Sequence, residues 1–355
     1  MRVVKTLYLV SLRGVTMKNP IPLIPLFFMA SLPALAHHSD AGVDMDAIVA
    51  FEGTVTEFRW RNPHVYAMIN NTDGPDESVE WAIQMGGVNV LSRRGWRANS
   101  LAEGDQVTVR AHPMQDGRPY GIMESIDKEG GLTLEVAVET PEIAASTTSL
   151  QGIWKADRSA TMSFPGGFDG FFLAQLKLTQ KGESAKAQYN PLSDENPEST
   201  CIGRPTPAAL VSTSLYLMSI EINEEEQIIV FQSEWFDERR TIYMDGRGHP
   251  EDSERFVTGH STGRWEEDTL VVDTTNFTDH RSPYQIGVPS GKQKHVVEKY
   301  RLTEDGTRIE MEFMLEDPEY IAEPMTHNRE LMYSPHLRMY QFNCDLGSTS
   351  RFINN

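Results

Sequence analysis

A chain of 355 residues with 51 Asp and Glu against 32 Lys and Arg carries a formal charge of −19. Such a surface repels phosphate backbones and no basic stripe offsets it, so neither nucleic acid nor anionic lipid headgroups are expected as partners. Charge of this size otherwise favours solubility and says little about fold.

The first segment reads as an address. Met17-Lys18, the apolar run from Ile21 to Leu35 and the Ala34-Leu35-Ala36 end supply the cationic start, apolar stretch and small-x-small cleavage site of a signal peptide. Met17 opens a better signal than Met1 does. Pro22, Pro25 and Pro33 interrupt the run, which is shorter than the ~20 apolar residues of a spanning helix. Residues 1–36 are therefore expected to be removed on export. The working protein then begins at His37 and is periplasmic or secreted, with no stable membrane insertion. Losing the segment removes four positive charges and no negative one, taking the formal charge to about −23.

Residues 37–128 read as five short strands and a helix. Phe51 to Phe58 alternates apolar and polar residues, the period of a half-buried strand. Pro63 breaks the run, and His64 to Asn70 alternates again. A turn cluster at 71–76 leads into Val79 to Gln84. Val88, Leu91 and Trp96 suggest a short helix over 87–94. Gln106 to His112 and Tyr120 to Ile126 close the block, joined by an Asp116-Gly117 turn. Three strands, a helix and two strands is the order of the small OB-like barrel. Residues 129–149, rich in small polar residues with Gly and Pro, read as a linker.

A second, β-rich block spans 150–355. Leu150 to Trp154 opens it, and a short helix is expected from Thr179 as N-cap to Tyr189. Strands then follow at Ile228–Phe236, Arg240–Met244, Gly259–Trp265, Thr269–Thr275, His295–Leu302, Arg308–Leu315, Asn328–Tyr333 and Arg338–Cys344. About eight antiparallel strands joined by short turns predict a closed lipocalin-like barrel able to hold one small ligand, with a β-sandwich as the alternative. Trp154, Trp235 and Trp265 are expected in its core. The fold class is all-β.

Several motifs carry a resemblance. Ala36-His37-His38-Ser39, Gly53-Thr54-Val55, Trp60-Arg61-Asn62-Pro63-His64, Arg93-Arg94-Gly95-Trp96 and Leu101-Ala102-Glu103-Gly104-Asp105 resemble a bacterial family of secreted domains of unknown function. The second block resembles an uncharacterised exported type through Gly259-His260-Ser261-Thr262-Gly263-Arg264-Trp265-Glu266 and Asp268 to Phe277. Glu267-Asp268 stands where that pattern has Gly-Asp. The resemblance implies architecture and export, not chemistry.

Cys201 and Cys344 are the only cysteines. In an oxidising compartment they read most simply as a disulfide, with a catalytic thiol as the rival, and the resemblance supports the pairing. Cleavage after Ala36 would give His37 a free amine beside its imidazole, a pair that suits Cu(II). His38 and His64 are the expected partners and His112 a weaker third. In the second block Arg240, Arg247, His249, His260, Arg264, Asp273 and Glu298 form a candidate ligand-binding set for an anionic or hydroxylated small molecule. Because side chains alternate along strands, half of such a set must point outward. His260-Ser261 with Asp273 lacks the elbow of a nucleophilic triad.

Three functions fit these residues. The first is an exported protein that binds a small molecule in the second barrel and copper at its N-terminus. The second is an exported enzyme working through the His and carboxylate set. The third is a structural or partner-binding envelope protein.

Overall fold

The computed structural model describes residues 42–71, 79–131, 133–135, 143–157, 164, 167–191 and 193–349. Residues 1–36, expected to form the signal, and His37 and His38 lie outside them. Residues 35–355 form one compact unit containing two closed barrels.

The first barrel comprises β1 (Val49–Arg59), β2 (Tyr66–Asn71), β3 (Val79–Gln84), the helix α1 (Val88–Arg93), β4 (Gln106–Pro113) and β5 (Tyr120–Lys128). The strands run in the order β3-β2-β1-β4-β5, and a parallel pairing of Ala82–Gln84 with Tyr120–Ile122 closes the ring. Alternation in β1 buries Phe51 and Val55, until a bulge between Val55 and Glu57 shifts the phase. Gly53 is needed where β1 and β2 press together, since a Cβ there would lie 2.6 Å from the Asn70 carbonyl oxygen. Val55, Ile69, Ile83, Leu91, Val109 and Ile126 are fully buried. One element departs from expectation. Part of the expected linker forms a sixth strand, β6 (Thr133–Glu135), which extends the sheet beside β5.

The second barrel has nine strands rather than about eight. They are β7 (Gly152–Ala156), β8 (Met218–Asn223), β9 (Ile228–Ser233), β10 (Arg239–Tyr243), β11 (His260–Glu266), β12 (Thr269–Thr275), β13 (His295–Leu302), β14 (Arg308–Glu316) and β15 (Met325–Tyr333). Neighbours pair in chain order, and the ring closes as β15 joins β7, which excludes a sandwich. All pairings are antiparallel except β10 with β11, which meet in parallel only at Ile242–Ser261 and Tyr243–Thr262. Among the described residues no strand covers this side of β11 beyond that short contact. Trp265, expected in the core, is therefore 48% exposed, whereas Trp154 is fully buried. Glu267 takes φ +55°, the left-handed backbone that glycine adopts most easily.

The described residues between β7 and β8 include the helices α2 (Gly167–Gln175) and α3 (Gln180–Gln188). The Thr179 hydroxyl accepts from the Gly182 N–H at 3.1 Å and caps α3 as expected. Phe171 and Phe172 of α2 join Trp154, Phe231, Tyr300 and Phe313 in the barrel core.

Arg338–Cys344 is not a strand. It crosses between the barrels as a strap whose backbone is satisfied mainly by side chains. Glu234 accepts from the Tyr340 N–H, and Asp237 accepts from those of Phe342 and Asn343. Alternating residues suggested a ladder, but these carboxylates replace it. Asn62 and Asn89 of the first barrel donate to the Phe342 and Tyr340 carbonyls. Arg93 donates to both oxygens of Glu234 and to the Leu215 carbonyl. The Cys201–Cys344 disulfide, with Cα atoms 5.9 Å apart, fastens the strap to the second barrel.

Candidate functional site

Alternation divides the expected ligand set between two sides of one wall. On β12 the inward positions are Leu270, Val272 and Thr274, so Asp273 faces out. On β13 they are Val296, Glu298 and Tyr300. Arg240 and Glu298 therefore lie inside the barrel, while His260 and Asp273 lie on its outer wall.

Inside, the Arg240 guanidinium grips Glu298 with two hydrogen bonds of 2.9 and 2.6 Å. Tyr300 donates to the same carboxylate at 2.8 Å, and Thr206 donates to its other oxygen. Burial opposes the charge on Arg240, but Glu298 more than offsets this and holds its proton above the usual range. Glu238, close by, is pushed up to about 7 by desolvation. The cavity beside them, lined by Thr206, Phe231, Glu238 and Arg240 among others, measures about 20 Å³. That is room for a water rather than an organic ligand. Aromatic and branched side chains, Trp154, Phe231, Tyr300 and Phe313 among them, pack in the same interior.

Outside, four residues form a continuous hydrogen-bonded chain. His260 Nδ1 lies 3.0 Å from His249 Nδ1, and His249 Nε2 lies 3.0 Å from Asp273 Oδ1. His295 Nε2 is 3.2 Å from both Asp273 oxygens, and its Nδ1 is 3.6 Å from Glu316. The chain lies across β11, β12 and β13 with the loop before β11, and its His249, Asp273 and His295 side chains are 24–33% exposed. Sequence reasoning missed His295. Asp273 pairs with Val297, so His295 is its diagonal neighbour on the same face, a position that follows once the hairpin register is known.

The chain dictates tautomers. Asp273 accepts a hydrogen bond from His249 Nε2–H, so neutral His249 has only a lone pair at Nδ1. His260 must then donate through Nδ1–H, leaving the lone pair on its Nε2. The environments push the imidazoles apart. The hydrogen bond from His295 holds Asp273 low, and Asp273 in turn raises His295. Desolvation, followed by His249, lowers His260. The chain thus has an imidazole held towards its neutral form, His260, at one end and one held towards its protonated form, His295, at the other.

The surroundings are aromatic. Tyr243 stacks on the His260 ring with centroids 5.2 Å apart and planes 22° apart, and Phe256 lies 6.2 Å away on a ring that is 41% exposed. Arg247 covers Tyr243 at 4.0 Å while it is paired with Asp245. Arg264, further along β11, pairs with Glu266 and stands apart from the chain.

Among the described residues, no group of three or more His, Cys, Asp or Glu is arranged to hold a metal ion. His64 Nδ1 lies 3.3 Å from the Met85 carbonyl and His112 Nδ1 2.9 Å from that of Ala47. No helix among the described residues is long and apolar enough to cross a membrane.

Residues 26–124 match a family of unknown function, DUF6152. The match covers the first barrel as far as the middle of β5 and stops short of the second. No curated protein matches the chain.

Proposed function

We propose that the protein works outside the cytoplasm and that the outer wall of its second barrel is an acid–base site. His260 Nε2 is the proton acceptor, and Asp273 and His249 are positioning residues that fix its tautomer. His295, held towards its protonated form, is the proton donor. The observation that carries this reading is the unbroken Asp273–His249–His260 chain, with both links at 3.0 Å. A carboxylate orienting an imidazole whose far nitrogen is the base is the logic of a hydrolytic triad, lengthened here by one histidine. The disulfide between Cys201 and Cys344 supports export. The small cavity beside Arg240 and Glu298 supports placing a small organic ligand on the outer wall rather than against that pair.

An activated aryl ester such as 4-nitrophenyl acetate tests this, because an oriented imidazole cleaves it directly or through water. Cleavage should fall at least tenfold in His260→Gln and in Asp273→Asn. Nitrogen-15 spectra of the parent should show His260 protonated at Nδ1. Unchanged cleavage by His260→Gln, or the opposite tautomer, would sink the reading.

A further inference from the structure

Behind the outer wall, the barrel interior holds an amine that the proposed site does not use. Lys294 immediately precedes β13 and is 1% exposed, and its Nζ has no hydrogen-bond partner. The amine lies over the rings of Phe277 and Tyr284, 4.3 and 5.0 Å from their centroids. Asp317 immediately follows β14 and is also 1% exposed. Its Oδ2 accepts from the Gly291 N–H at 2.7 Å, while its Oδ1 has no partner.

Register brings these two residues together. The β13–β14 ladder ends at the pair His295–Glu316, and Lys294 and Asp317 lie one residue beyond it, one on each strand. Alternation turns both inward with Val296 and Leu315. Side chains directly opposed on neighbouring strands have Cβ atoms about 5 Å apart, within reach of a lysine stem. Gly291 holds the carboxyl in place, for a Cβ there would fall 2.2 Å from Oδ1.

Buried opposite charges normally form an ion pair. None joins these two, and each keeps an unsatisfied polar atom. Burial favours their uncharged forms, lowering Lys294 to about 7 and raising Asp317. A neutral amine and a carboxyl group that tends to keep its proton are thus buried beside the same end of the hairpin, in a water-poor interior. These are the conditions for condensation rather than for a salt bridge.

We propose that Lys294 and Asp317 are joined by an amide bond, an intramolecular cross-link that closes the open end of the β13–β14 hairpin. The Nζ lone pair attacks Cγ of the protonated carboxyl, and the Nζ–Cγ bond forms as a Cγ–O bond breaks. The departing hydroxyl takes a proton from the amine and leaves as water. No oxidant or cofactor is needed. The product is neutral and removes both buried ionisable groups.

Intact-mass spectrometry of the purified full chain tests this. The protein should be lighter by one water than its disulfide-bonded sequence from the same N-terminus. Trypsin should fail to cut after Lys294 and should release the Lys294 and Asp317 peptides as one joined species. Lys294→Ala and Asp317→Ala should each restore the calculated mass. A parent protein at the calculated mass, with normal cleavage after Lys294, overturns the cross-link whether or not either variant folds. A water loss that persists in Lys294→Ala overturns it equally.

Discussion

Arg93 of the first barrel and Glu234 of the second form an ion pair in which the carboxylate is wholly buried and the guanidinium side chain only 8% exposed. Both Glu234 oxygens are used, at 2.9 and 2.8 Å, and the same carboxylate also accepts from the backbone of Leu217 and Tyr340. Removing one partner strands a buried charge. Arg93→Ala should cost about 3–5 kcal/mol, while replacing both residues by Met should cost less than either single change. Urea unfolding of the single and double variants measures the difference.

The disulfide should matter beyond its loop. It spans 143 residues, for which loop-closure entropy alone amounts to about 5 kcal/mol, often less in practice. It also holds down the strap that carries Phe342 and Tyr340 to Asn62 and Asn89. Cys201→Ser with Cys344→Ser should lower the melting temperature. It should also speed amide exchange at Val88, whose N–H is held by Asn62, before exchange rises in β12 or β13. Equal acceleration in all three would mean that the bond acts only through the unfolded chain.

Two histidines of the outer chain should respond to pH in opposite senses. His295 is raised above 6.5, so the stability it contributes is fully present below that value and lost as pH climbs through its folded pKa. His260 is lowered, so it costs stability as pH falls below 6.5 and the unfolded chain takes up the proton first. Asp273 is also lowered, and its contribution disappears on further acidification through its folded pKa, below 3.8. A series of melting temperatures from pH 4 to pH 8 should therefore show a smaller acid-side loss in His260→Gln. In His295→Gln the alkaline-side loss should shrink. Proton NMR titration of the ring resonances reports each directly.

Inside the barrel, Glu298→Gln should destabilise by about 3–5 kcal/mol, since Arg240 would keep its charge with no carboxylate to answer it. Arg240→Met should be as costly for the mirror reason. If either proves neutral by denaturant unfolding, the pair is less isolated from water than its burial implies.

The barrels were legible from alternation because each strand has one wet and one dry face. Phe51 to Phe58 declared its strand this way. What failed has identifiable causes. The strap at Arg338–Cys344 alternates, yet its partners are side chains distant in sequence, Asp237 and Glu234 among them. The helix α2 is masked by Gly167 and Gly170, which read as turn residues. The candidate site was half legible. His249, His260 and Asp273 came together, but a residue list has no inside or outside, so Arg240 and Glu298 were grouped with neighbours across the wall. His295 needed the register of one hairpin, which a strand boundary alone does not supply.

The closure of the second barrel has a consequence in time. Its first strand, β7, hydrogen-bonds to its last, with Trp154 opposite Tyr333, so the ring cannot shut until nearly the whole chain has been made. The first barrel needs nothing beyond β5 to close its own ring and is complete far sooner. Synthesis runs from the N-terminus, and pairings between distant segments form slowly. Arg93 therefore emerges 141 residues ahead of the carboxylate that will neutralise it. During that interval a finished barrel displays an unanswered docking face, and a folding helper acting on this protein would be expected to work there.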